Sequence, residues 1–144
     1  MTTTDQQALI DALNAEYAAV FAYGVIAAYA SPERVKIVAE YTAAHRARRD
    51  ATIDALKSSG AAVPSPAAAY TTPFPVNDPI PAAQLANTVE SDTAIAWRSV
   101  VERTSDTDAR RTALAALTEC AVRQATWQAI LGINPPTVSF PGQP

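Results

Sequence analysis

One histidine and three glutamates carry most of the chemical capacity of this sequence. His45 is the only histidine, set in "TAAHRARRD" (Thr42–Asp50) with three arginines after it. Glu16, Glu90 and Glu119 each fall near the middle of an apolar stretch. A histidine facing several carboxylates has two uses inside a protein. The group can ligate a transition metal, or it can close on itself as an ion cluster neutralised by nearby arginines.

Helical periodicity brings these residues together. Glu16 shares a face with Leu9, Leu13, Val20 and Ala27, all within about 60° at 100° per residue. His45 shares a face with Val35, Val38, Tyr41, Ile53 and Leu56, and Glu90 lies among Ala83, Ala86, Ala94, Trp97 and Val101. In the fourth segment Glu119 is flanked by Ala115, Val122 and Ile130, while Leu114 and Leu117 point almost the other way. Arg49 follows His45 by one turn, and Arg123 follows Glu119 by one turn. The expected buried polar layer is therefore Glu16, His45, Arg49, Glu90, Glu119 and Arg123.

The elements that must position this layer are four helices, expected over about 5–29, 32–59, 81–104 and 107–131. Ser31 and Pro32 suit a helix start, and Gly60 and Gly132 suit helix ends. Six prolines between Pro64 and Pro81 exclude a helix from the link. Short turns make two antiparallel hairpins, while the link is long for a bundle. Each helix spans about 35–40 Å, which an extended link of ~20 residues can run. The expected fold is all-α: one four-helix bundle domain over 1–144 with ferritin-like connectivity, a proline-rich crossover over 61–80 and an irregular tail over 133–144. Tyr70 and Phe74 are expected against the bundle wall.

Carboxylate-bridged dimetal bundles take a glutamate from each of two helices and Glu-x-x-His from each of the other two. Three residues before His45 stands Thr42, and three after Glu119 stands Val122. Glu40, five before His45, is about 140° around the helix and cannot substitute. The pair of metals is therefore not expected. The metal alternative is a single Fe or Mn on Glu16, His45, Glu90 and Glu119.

The stretches "LNAEYAAVFAYGVI", "AAHRARRD", "PFPV" and "TVSFPG" resemble an actinobacterial ferritin-like family of unassigned function. The resemblance spans nearly the whole chain. It implies a ferritin-like bundle able to dimerise, and it brings no activity with it.

Composition narrows the function classes. A net charge of −3 disfavours a nucleic-acid binder. Cys120 is the only cysteine, so no intrachain disulfide or cysteine zinc site can form. No positive n-region precedes the first apolar run, and the uncharged run Tyr17–Ala30 is shorter than the ~20 residues a bilayer requires, so a cytoplasmic protein without membrane partners is expected. From Tyr17 to Ala30 the first helix is apolar on every side, which predicts a homodimer through it, with the second helix as a further contributor. No Ser-His-Asp arrangement, phosphate loop or nucleotide fingerprint can be assembled. Two readings follow: a non-catalytic interaction or small-ligand-binding module without cofactor, and a metal-binding protein or oxidoreductase with a reduced Fe/Mn site.

Overall fold

The computed structural model describes residues 1–144 as four long helices. They are α1 (Thr3–Tyr29), α2 (Val35–Ser58), entered through a 3-10 turn over Pro32–Arg34, α3 (Pro79–Arg103) and α4 (Thr107–Ile130). The fold is all-α, a bundle of two antiparallel hairpins joined by a long extended link.

Local chemistry sets the helix ends. Thr2 and Asp5 form a reciprocal capping box: Asp5 N–H donates to Thr2 Oγ1 (3.1 Å) and Thr2 N–H donates to Asp5 Oδ2 (2.8 Å). Asp106 accepts from Ala109 N–H at 2.8 Å and starts α4. Gly60 and Gly132 adopt φ of +78° and +74°, and after them Ala61 and Ile133 donate back to Leu56 O and Gln128 O, closing α2 and α4.

Two expected boundaries are corrected. Ser31 does not cap α2; its hydroxyl donates to Glu33 Oε1 (2.9 Å), and the 3-10 turn makes the entry instead. The third helix starts at Pro79 rather than Pro81, because both prolines fall in a first turn whose N–H groups have no helical partner to lose.

Side-chain contacts fix the direction of each helix. Gln6 donates to Ser59 O (3.1 Å) and Asp5 accepts from Thr104 Oγ1 (2.8 Å), so the start of α1 meets the ends of α2 and α3. Ala30, Arg34, Pro79 and Leu131 gather at the opposite end. Hence α1 and α4 run one way, and α2 and α3 the other. The link returns along α1, where Tyr17 donates to Pro64 O (2.9 Å) and Phe21 stacks obliquely on Tyr70 (5.2 Å). Tyr70 and Phe74 are half-buried and packed against the core. α1 is long and apolar enough to cross a bilayer by length and composition, but it packs against α2 and α3 in the bundle.

Two apolar layers fill the interior. One gathers Leu9, Leu13, Leu56, Trp97, Val100 and Ala116; the other gathers Tyr23, Ile26, Val38, Leu85, Ala86 and Trp127. Alanines line both, which lets the helices approach closely. Glu16, His45 and Glu90 lie between the two layers.

Candidate functional site

Each of the four helices sends an ionisable group to the centre of the bundle. Glu16 comes from α1, His45 from α2, Glu90 from α3 and Arg123 from α4. The first three are 0% exposed and Arg123 is 8% exposed. His45 Nδ1 lies 2.6 Å from Glu16 Oε2, and its Nε2 lies 2.9 Å from Glu90 Oε2. Arg123 Nε donates to Glu90 Oε1 at 2.9 Å.

Aromatic donors complete the shell. Trp97 Nε1 donates to Glu16 Oε1 at 2.9 Å, and Tyr23 Oη donates to Glu90 Oε2 at 2.5 Å. Trp127 Nε1 donates to Tyr23 Oη at 3.0 Å. Cys120 Sγ donates to Thr93 Oγ1 at 3.2 Å and receives Arg123 Nη2 at 3.5 Å. All four oxygens of Glu16 and Glu90 therefore accept from a protein donor. The one buried side-chain oxygen or nitrogen without a partner is Asn87 Oδ1, outside this group.

The geometry dictates protonation. A carboxylate oxygen only accepts, so an imidazole ring with both nitrogens on carboxylates must carry both protons. Burial works against a charged ring, but the bonds to Glu16 and Glu90 outweigh it and lift the His45 pKa to about 9. Burial likewise opposes ionisation of Glu90. His45, then Arg123, overcome it and hold the carboxyl below its ordinary range. Burial also disfavours the Arg123 charge, and Glu90 more than restores it. Burial, reinforced by Glu90, raises the Tyr23 phenol and pushes the Cys120 thiol up to about 12, so neither is poised as a nucleophile. Two carboxylates face one imidazolium and one guanidinium, and the group is neutral as a whole.

Two of the six residues expected in the layer are elsewhere. Glu119 points outward with its side chain 49% exposed, and pairs with Arg48 at 2.7 Å. Arg49 is partly exposed and pairs with its neighbour Asp50 at 2.8 Å. The phase of α4 is the reason: Ala113, Ala116, Cys120, Arg123 and Trp127 form its buried stripe, and Glu119 stands off it. Arg48, the neighbour of Arg49, takes the inward slope and lies over the Trp97 ring at 5.9 Å. Tyr23 and Trp97 were legible as partners of the layer, each seven residues after a buried glutamate and so on the same face.

The same phase bears on a metal. The inward i,i+3 pair of α4 is Cys120 and Arg123, and that of α2 is Thr42 and His45. Neither is Glu-x-x-His. A cationic guanidinium stands against Glu90, and neither His45 nitrogen has a free lone pair. These residues do not fit the carboxylate-bridged metal pair of such bundles. The four-residue set for a single ion also loses Glu119.

No curated protein matches the chain. The crystal structure of a conserved hypothetical protein from Mycobacterium tuberculosis is similar to it, at 40% sequence identity and a TM-score of 0.88, covering 91% of this chain and 99% of that one. Residues 8–144 match the model of a domain of unknown function, DUF4439. The chain is thus a member of the DUF4439 family.

Proposed function

We propose that this protein is a metal-free ferritin-like bundle in which a self-neutralised ion cluster takes the position of a metal centre, and that it acts as a non-catalytic binding module. The observation that carries this reading is the complete occupancy of the Glu16 and Glu90 oxygens by protein donors. A site in which His45 bridges both carboxylates has no position left for substrate. None of the three principal clefts is lined by Glu16, His45 or Glu90. Function then belongs to the surfaces and clefts that the cluster holds in place.

The rival is a single Fe or Mn ion on Glu16, His45 and Glu90, which would require His45 to give up a proton and at least one of its bonds. Growth in iron- and manganese-supplemented medium followed by metal analysis separates the two. The proposal expects no stoichiometric metal. About one ion per chain, lost in both Glu16→Ala and His45→Ala, would establish the rival.

The proposed setting is a homodimer in the cytoplasm. The lone buried thiol of Cys120 suits a reducing compartment. The crossover lies against α1 at Tyr17 and Phe21, while Ala28 and the half-exposed Phe21 and Tyr29 keep surface for a partner copy. Light scattering at micromolar concentration should give twice the chain mass, and Tyr29→Glu should halve it. A monomeric parent chain rejects this assembly.

A further inference from the structure

A second feature lies on the α3 side of α1. The crossover does not seal the groove between these helices; it bridges it and leaves a cavity of about 540 Å³. That volume lies in the range of small-molecule sites. Ala18 and Ala22 of α1 keep it open, because their short side chains leave the space that larger residues would fill. Leu85 and Val89 of α3 give it an apolar wall, and the stacked rings of Phe21 and Tyr70 stand at its edge.

One charged group faces this space. Asp92, on α3, is exposed at the mouth of the cavity and has neither an ion pair nor a hydrogen bond from the protein. The cavity wall removes part of its hydration, and this partial desolvation raises the carboxyl pKa above the ordinary range. Arg98, on the same helix, is engaged with Glu102 at 2.9 Å. A carboxylate left without a cation beside an apolar cavity and two aromatic faces is complementary to a particular ligand chemistry.

We propose that the cavity between α1, α3 and the crossover binds a small organic ammonium, its apolar body against Ala18, Ala22 and Val89 and its charged nitrogen on Asp92. This rests on the reading of the protein as a binding module and names the ligand class. The two requirements are separate: the cavity supplies area, and Asp92 supplies the preference for a positive head over a neutral or negative one.

The test uses three probes with one body: n-octylamine, protonated at neutral pH, n-octanol and n-octanoate. Each is titrated below its micelle concentration into the full chain, with calorimetry and amide chemical shifts as readouts. Octylammonium should bind roughly tenfold more tightly than octanol, and octanoate more weakly than either. The shifts should centre on Ala18, Ala22, Thr88 and Asp92. Asp92→Asn should remove the advantage of the ammonium while leaving octanol binding unchanged, and Ala18→Leu should weaken both by filling the cavity. Equal binding of the three probes, an Asp92→Asn variant that still prefers the ammonium, or no saturable binding would overturn the proposal. Metal analysis reads the ion cluster independently, so either reading can fail while the other stands.

Discussion

Arg123 Nε donates to Glu90 Oε1 across 2.9 Å, on the opposite oxygen from the one that His45 and Tyr23 share. The guanidinium thereby neutralises a carboxylate that the rest of the interior could not. Its removal should leave two buried carboxylates with one cation. Arg123→Ala is expected to lose about 3–5 kcal/mol of stability, the usual cost of breaking a buried pair. Arg123→Lys keeps the charge but not the planar donor and should lose less. Urea denaturation of the three proteins gives this ranking, and an Arg123→Ala protein as stable as its parent would refute the role assigned to the guanidinium.

The imidazolium makes stability depend on pH in a definite direction. His45 titrates near 9 in the folded chain against 6.5 unfolded, so the folded state holds the proton more tightly. Its contribution is fully present below about pH 6.5, declines as pH rises, and is gone above about 9, for a total of roughly 3 kcal/mol. Glu90 acts in the opposite sense: its carboxyl is lowered from 4.5, so its contribution is lost as pH falls below that value. Unfolding free energy should therefore peak between about pH 5 and 6.5. In His45→Gln the alkaline decline should flatten, measured by denaturant titration at half-unit pH steps.

The outer ion pair should matter far less. Arg48 and Glu119 meet at 2.7 Å, but the glutamate is half in solvent. Glu119→Gln is expected to lose under 1 kcal/mol. A loss as large as that of Arg123→Ala would show that Glu119 belongs to the buried group after all.

The C-terminal tail is held by a close approach at Gly142. A Cβ there would stand 2.5 Å from Ala94 O and 2.8 Å from Arg98 Cβ, and φ is +76°. Gly142→Ala should release the tail from α3 without unfolding the bundle, because both obstacles are on a packed helix and the tail is free to move. Faster amide exchange over residues 137–143 with unchanged exchange at Trp97 and Tyr23 is the expected signature.

The sequence made the fold largely legible because its punctuation is strong. Gly60, Gly132, Asp106 and the proline run all act where their chemistry requires. The site was legible where one face is plainly apolar: Glu16, His45 and Glu90 interrupt stripes that otherwise read as core. α4 was ambiguous because its large apolar residues are spread around it. Leu114 and Val122 are exposed, while small Ala113 and Ala116 are buried, so side-chain size gave the wrong phase and favoured Glu119. The choice between Arg48 and Arg49 depended on a rotation of one residue that composition does not resolve. The cavity at Asp92 depends on where the crossover lies, and no periodicity encodes that.

The neutral cluster sits between two layers lined by many alanines, and this has a consequence for how the helices align. Methyl-sized side chains repeat along each rod and would accept a neighbour slid by one turn, about 5.4 Å. Four mutually bonded ions would not, since the same slide strands every charge in a dry interior. The cluster thus selects a single vertical alignment from several that alanine packing alone would leave nearly equal in energy.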